Sequence, residues 1–185
     1  MTMKKTGALA AIALVLLVSA TSCNKIREAI FPGIEVNLPA SQFTVPAIPF
    51  VLPMEASLGS FSMHFNLDSI IRANTANAFG AGAVASVKVK EVTINVPNAD
   101  AENNLSNFES ARFTFSSDAN STPAEIISIT FPDVYAATTT VTPTNSPELK
   151  TYLTGTQLTY TLYGKGRRTT SKPLTFNVVV TLTAK

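Results

Sequence analysis

Few side chains in this sequence of 185 residues are suited to covalent chemistry. Cys23 is the only cysteine and His64 is the only histidine. A lone cysteine excludes an internal disulfide and a thiolate metal site, and a lone histidine excludes a histidine cluster around a metal. The sequence also lacks a Gly-x-Ser-x-Gly motif that would supply an activated serine. We therefore predict no catalytic residue, no metal site and no cofactor.

Cys23 follows a stretch that has the three parts of an export signal. Lys4 and Lys5 form a short basic segment, residues 7–20 are apolar apart from one serine, and residues 20–22 are small. An apolar run of this length suits a signal sequence and is shorter than the roughly 20 residues that a membrane-spanning helix needs.

This stretch resembles the type II signal peptide of a bacterial lipoprotein, whose cysteine is lipidated and becomes the mature N-terminus. The lipoprotein pattern usually has leucine three residues before the cysteine, where this sequence has Ala20. The resemblance implies that residues 1–22 are removed and that Cys23 carries the lipid. It also implies a lipid-anchored protein of the cell envelope, held at the outer membrane. An ordinary secretory leader followed by a free cysteine is the alternative.

The chain without its first 22 residues has no net charge. The full sequence has 14 basic and 12 acidic residues, and removing Lys4 and Lys5 leaves 12 of each. Nucleic-acid binders normally carry a basic face, so we predict no nucleic-acid partner. Attachment to a membrane would then depend on acyl chains, each buried CH₂ of which contributes about 0.8 kcal/mol.

The rest of the sequence is typical of an all-β protein. β-Branched and aromatic residues form short alternating runs between Pro, Gly and Asn turns. We predict a tether over residues 23–33 and, over 34–185, a two-sheet antiparallel sandwich with one short helix. This domain resembles the immunoglobulin-like domains of many envelope lipoproteins. In the strand at 87–96 the apolar positions shift by one residue, which predicts a β-bulge near Lys90 and Glu91.

Two segments carry helix signals. Residues 145–155 have Ser146 in the N-cap position, proline next to it and a terminal glycine, and they predict a compact helix that packs into the core. Residues 67–73 predict one or two helical turns, with Asn66 or Asp68 as the cap.

The last part of the chain predicts a β-hairpin. Alternating apolar residues at 158–162 and at 174–182 flank a turn at 164–168, and the second of these strands is predicted to be central. Residues 43–53 are apolar but contain three prolines, so they predict an edge strand or an extended segment.

Four cations near this turn form a candidate anion-binding site. They could contact lipid phosphates or an acidic glycan. A charged hairpin tip that protects against edge aggregation is the alternative, and we favour it. The residues are Lys165, Arg167, Arg168 and Lys172.

A polar loop and the single histidine are weaker candidates. The loop is rich in oxygen ligands of the kind that Ca²⁺ prefers, but it lacks the glycine and final glutamate of an EF-hand, which favours an ordinary solvated loop. His64 lies between Met63 and Phe65 and is predicted to face solvent. The loop residues are Asn98, Asp100, Glu102 and Asn103.

The sequence predicts a non-enzymatic, lipid-anchored binding or structural module of the bacterial envelope. Its partner would be another envelope protein or a glycan, which it would meet through loops at one end of the sandwich. The alternative is a carrier of an apolar or lipid ligand, in which residues 43–53 form a mobile wall around a large dry cavity.

Replacing Cys23 tests the predicted anchor. We expect Cys23→Ala to move the protein from the membrane fraction to the soluble fraction, because a chain without net charge has little electrostatic attraction to lipid. Membrane sedimentation after a carbonate wash measures the effect. A variant that still sediments with the membranes would contradict lipidation at this residue.

Overall fold

Two antiparallel β-sheets pack face to face in the computed structural model, which describes residues 28 and 30–185. The predicted signal peptide, Cys23 and most of the tether lie outside these residues. Helix α1 (Leu67–Asn74) and two short 3-10 turns at 81–83 and 105–107 accompany the sheets. The strands are β1 Ile34–Asn37, β2 Ser41–Val45, β3 Ala56–His64, β4 Val87–Asn95, β5 Phe108–Ser117, β6 Ala124–Thr130, β7 Thr138–Val141, β8 Gln157–Gly166 and β9 Leu174–Ala184.

The order of the strands defines the connectivity of the sandwich. The first sheet runs β1–β9–β4–β7, with β2 also paired to β9, and the second runs β3–β8–β5–β6. Since β1 and β2 pair with successive parts of β9, they act as one edge strand interrupted at Pro39. The predicted two-sheet antiparallel sandwich with one helix is confirmed. Its strand order is that of a jelly roll, whereas immunoglobulin domains order their strands differently.

Helix α1 and the bulge in β4 form as the sequence predicts. The Asn66 side chain accepts a hydrogen bond from the Ser69 N–H at 2.8 Å and so caps the helix. The register of β4 against β9 shifts between Val89 and Glu91, which confirms the predicted bulge. In the edge strand β3 the register also shifts, next to Gly59.

The predicted helix at 145–155 is wrong. The segment forms consecutive hydrogen-bonded turns at 150–154 without a helix, and the side chains of Ser146, the predicted N-cap, and Glu148 bind strand β4 instead. The Ser146 Oγ accepts from the Val89 N–H at 2.6 Å, and the Glu148 carboxylate accepts from the Val87 N–H at 2.8 Å. These donors are available because β7 pairs only with the later half of β4. The predicted packing of this segment is confirmed for Leu149, which is buried.

The predicted hairpin at the end of the chain is also wrong. Strands β8 and β9 alternate as expected, and β9 is central, but the two strands belong to different sheets. Residues 167–173 therefore cross from one sheet to the other. Alternation shows which face of a strand is buried, and two strands on opposite sides of one core have the same pattern as two paired strands.

Stacked aromatic rings run through the core between the sheets. Phe61 lies 6.1 Å from Phe43 and 5.0 Å from Tyr160 between ring centroids, and Tyr160 lies 5.8 Å from Phe115. A gap next to Tyr160 and Leu149 is too small to admit a water molecule. At this place in the described core there is thus no large cavity of the kind that a carrier of apolar ligands would need.

Tyr160 buries a hydroxyl group that finds no hydrogen-bond partner among the described protein atoms. Burial raises the pKa of this hydroxyl above its ordinary value, because the apolar surroundings disfavour the phenolate. The ring contributes stacking while the hydroxyl contributes an unfavourable desolvation.

We expect Tyr160→Phe to leave the free energy of unfolding unchanged or to raise it by about 1 kcal/mol. The unfolded tyrosine ionises at its ordinary pKa and the folded one resists ionisation, so the wild type should lose stability as the pH rises above about 10. The variant should lose less. Chemical denaturation at neutral and alkaline pH measures both effects. Tyr160→Ala, which also removes the ring, should cost about 3 kcal/mol or more. A clear loss of stability in Tyr160→Phe would mean that the hydroxyl is hydrogen-bonded.

Candidate functional site

The antiparallel strands divide the connecting loops between two ends of the sandwich. The loop end, as we name it, is formed by residues 46–55, 96–107, 131–137 and 167–173. The opposite end, which we name the terminal end, contains residues 30–33, 65–86, 118–123 and 142–156 together with Lys185.

The loop between β2 and β3 is apolar and fixed at several points. Residues 46–54 have no side chain that can form a strong hydrogen bond. Ile48 and Thr170 exchange two hydrogen bonds, of 2.9 Å to the threonine hydroxyl and 3.0 Å to the Ile48 carbonyl. The Gly166 N–H donates to the Leu52 carbonyl at 3.2 Å, and a Cβ on Gly166 would approach the Leu52 nitrogen to 3.1 Å. Glycine thus permits the close contact.

Between these fixed points the loop exposes large apolar side chains. Phe50 is 65% exposed and Met54 is 77% exposed, while Ile48 is buried. The Glu55 carboxylate ends the loop with a bidentate ion pair to Arg112, with a shortest contact of 2.6 Å. Hydrogen bonding from Arg112 lowers the pKa of Glu55.

The loop between β6 and β7 exposes a second apolar pair. Val134 is 63% exposed and Tyr135 is 60% exposed. The start of the loop is fixed because the Phe131 carbonyl accepts from Arg167 Nη2 at 2.8 Å. Arg167 follows Gly166 directly, so both apolar loops bind the same short part of the chain.

Three buried asparagines join the remaining loops of this end. Asn103, Asn104 and Asn107 are each 2% exposed or less. The Asn107 amide donates to the Glu102 and Thr169 carbonyls, both at 2.8 Å. Its side-chain oxygen accepts from the Asn104 N–H at 2.9 Å. One side chain therefore ties the β4–β5 loop to the β8–β9 loop.

Asn104 and Asn103 connect further parts of the same loops. The Asn104 Oδ1 accepts from the Ser106 N–H at 2.9 Å and, less closely, from the Ala136 N–H at 3.4 Å. The Asn103 Oδ1 accepts from the Ser171 N–H at 2.8 Å. Through these contacts the loops at 96–107, 131–137 and 167–173 hold one another in a single arrangement.

Of the four cations predicted to contact anions, Arg167, Arg168 and Lys172 lie at the loop end, and Lys165 lies beside it in the last part of β8. Each of the four binds the protein itself. Arg167 donates to backbone carbonyls, including that of Ser106 at 2.9 Å. The other three form the ion pairs Lys165–Glu109 at 2.8 Å, Arg168–Asp133 and Lys172–Asp100 at 2.5 Å. An external anion would have to compete with these bonds, and anion contact stays a prediction.

The polar loop considered as a Ca²⁺ site, at residues 98–103, forms a hydrogen-bonded turn around Asp100. Hydrogen bonding from Lys172, and then from Asn103, lowers the pKa of Asp100 well below its ordinary value. The Asn98 Oδ1 accepts from the Thr175 N–H at 2.9 Å, so it supports the start of β9. No group of three or more potential metal-ligating side chains occurs within the residues that the structure covers.

His64 lies away from the loop end. It is exposed at the last position of the edge strand β3, opposite Gln157, and so belongs to the terminal end. The structure does not bring it near the four cations. Within residues 28 and 30–185, no helix is long and apolar enough to cross a membrane.

Comparisons with known proteins give only distant structural similarities. No protein-family model matches the sequence, and a search of curated proteins gives no match. The structure of the infectious bursal disease virus Gt strain aligns with 83% of this chain and 33% of its own, at 9% identity and a TM-score of 0.34. This chain therefore spans about a third of that one.

Two further solved structures give alignments of similar quality. The decameric BFDV capsid protein aligns over 83% of this chain and 98% of its own, with 10% identity and a TM-score of 0.33. A structure of carbohydrate-binding modules from the β-sandwich superfamily aligns over 80% of this chain and 55% of its own, with 6% identity and a TM-score of 0.34.

The exposed apolar side chains of the loop end, which we name the tips, are the feature that the sequence indicated least clearly. They are Phe50, Val51, Met54, Val134 and Tyr135. The uninterrupted apolar run at 46–54 was a signal, but it was equally compatible with an extended segment packed on the core. Val134 and Tyr135 had no distinguishing pattern. Their grouping with Phe50 and Met54 follows from the jelly-roll connectivity, which brings loops distant in sequence to one end.

Replacing Asn107 tests whether buried amides fix the loop end. We expect Asn107→Ala to lower the free energy of unfolding by about 1–3 kcal/mol, because it leaves the buried Asn104 N–H without a partner. It also removes the donor to the part-buried carbonyls of Glu102 and Thr169. Asn95→Ala, at an exposed position of β4, is the matched control and should change stability by less than about 0.5 kcal/mol. Chemical denaturation measures both variants. Equal effects would contradict a specific role for Asn107.

Proposed function

We propose that this protein is a non-enzymatic binding module, attached to the membrane of the bacterial envelope by a lipid on Cys23, which binds its partner through the loop end. The observation that carries this proposal is the position of the exposed apolar tips. Phe50, Met54, Val134 and Tyr135 lie at the loop end, whereas the described chain begins at the terminal end.

The pairing of β1 with β9 supports this orientation. Ile34 pairs with Ala184, so the chain enters the sandwich beside its last strand residues. β9 then runs the length of the domain, which at about 3.3 Å per residue is roughly 33 Å. A lipid attached N-terminally to Ile34 would leave the loop end free to meet a partner.

The edges of the sheets are poorly suited to binding another strand, which supports the loop end as the binding surface. The edge strand β3 has a register shift at Gly59, and Ile126 is left unpaired in the edge strand β6. The β1–β2 edge is interrupted at Pro39, and β7 is short. Bulged, broken and short edges resist strand addition.

The outer-membrane location and the partner come from the sequence and are part of the proposal. Another envelope protein or a glycan fits a module that offers a fixed set of loops. A carrier of apolar ligands is less well supported, because the core gap beside Tyr160 does not admit a water molecule.

Binding to isolated cell envelopes tests the proposal. A chain of residues 24–185 keeps every buried apolar residue of the described core, which extends from Phe31 to Ala184, and it carries no lipid. We expect this chain to sediment with envelopes of the source bacterium and the double variant Phe50→Ser, Tyr135→Ser to bind about tenfold more weakly.

Ile30→Ser is the matched control for this experiment. Ile30 is 62% exposed, similar to Phe50, but it lies at the terminal end. We expect the control to bind envelopes as the parent chain does. Failure of the parent chain to bind, or equal losses in the control and the double variant, would contradict the loop end as the binding surface.

A further inference from the structure

The tips of the loop end can bind a partner almost only by burying apolar surface. Residues 46–54 offer no charged, amide or hydroxyl side chain. Prolines at 46, 49 and 53 also remove backbone N–H donors. A glycan or an added β-strand bound at this loop would leave its own polar groups without partners. These tips therefore match a partner with few hydrogen-bonding groups.

Charged groups lie behind the apolar tips and balance one another. Arg168 pairs with Asp133 one residue before the exposed Val134, and Arg112 pairs with Glu55 one residue after the exposed Met54. The loop end and the strand positions beside it together carry five cations and five carboxylates, so this region has no net charge. They are Arg112, Lys165, Arg167, Arg168 and Lys172 against Glu55, Asp100, Glu102, Glu109 and Asp133.

We propose that the loop end inserts into the surface of a lipid bilayer. Phe50, Val51 and Met54 from one loop, with Val134 from the other, enter the boundary between headgroups and acyl chains. Tyr135 and the ion pairs behind the tips remain at the headgroup level, as amphipathic and charged side chains do at membrane interfaces. This inference goes beyond the proposed function and depends on it only for the identity of the binding surface.

The arrangement of the tips favours a bilayer over an apolar pocket on a protein. The exposed side chains come from two loops that border opposite edges of the sandwich, since β3 and β6 are the outer strands of their sheet. A fluid surface receives both loops without a matching shape. A protein would need two separate pockets at the correct spacing.

The charge balance predicts which lipid headgroups the loop end can bind. A region without net charge gains little from anionic headgroups, so zwitterionic bilayers should bind as well as anionic ones, with little dependence on salt. Anion contact by the four cations Lys165, Arg167, Arg168 and Lys172 would give the opposite behaviour. The two mechanisms are therefore separable in one titration.

Tryptophan is absent from the sequence, so one introduced residue reports on one position. We expect Phe50→Trp in residues 24–185 to show a blue shift in fluorescence emission when phosphatidylcholine vesicles are added, because the indole leaves water. Ile30→Trp at the terminal end is the matched control and should show no shift. Equal thermal melting of the two variants would exclude misfolding as the cause.

Vesicle flotation measures the contribution of the tips. We expect Phe50→Ser and Met54→Ser each to weaken partition into phosphatidylcholine vesicles about fivefold or more, and Ile30→Ser to leave it unchanged. Binding that requires phosphatidylglycerol and is lost in high salt would overturn insertion in favour of anion contact. Absence of vesicle binding, with envelope binding retained, would overturn the bilayer as partner and leave the proposed function intact, with another envelope protein as its partner.

Discussion

The buried amide of Asn107 is the interaction on which the loop end depends. It joins two loops that are more than fifty residues apart in sequence, through the carbonyls of Glu102 and Thr169, and its oxygen accepts from the buried Asn104 N–H. A buried polar group without a partner costs about 1–3 kcal/mol, so alternative loop arrangements are unfavourable. The exposed tips are thus presented by a rigid support, and ordering them on binding requires little further loss of entropy.

The jelly-roll connectivity accounts for the separation of the two ends. Every antiparallel strand carries the chain from one end to the other, so alternate loops collect at the same end. Because the edges are bulged or interrupted, they discourage contact between strands of different molecules. The polar outward-facing residues of the sheets leave few large apolar side chains exposed. Most of those that the structure describes lie at the loop end, with Ile30 as the exception.

The sequence predicted those features that depend on local pattern. The sandwich class, the cap at Asn66 and the bulge at Lys90 follow from alternation and turn chemistry, and the structure confirms them. The predictions of a helix at 145–155 and a hairpin at 158–182 were wrong because contacts with residues distant in sequence determine both segments. In the first, unpaired N–H groups of β4 attracted the capping oxygens. Which loops share the loop end could not be predicted either, since this depends on which strands pair.

Contiguous exposed apolar side chains raise the risk of association in water and often mark a binding surface. Local structure does not require Phe50 or Met54 to be apolar, because Ile48, Leu52 and Glu55 already fix the loop through buried or paired groups. A serine at either position would keep those bonds and reduce the risk of association. The choice of large apolar residues at rigid tips, above balanced ion pairs, is consistent with an apolar partner that needs no hydrogen bonds from them.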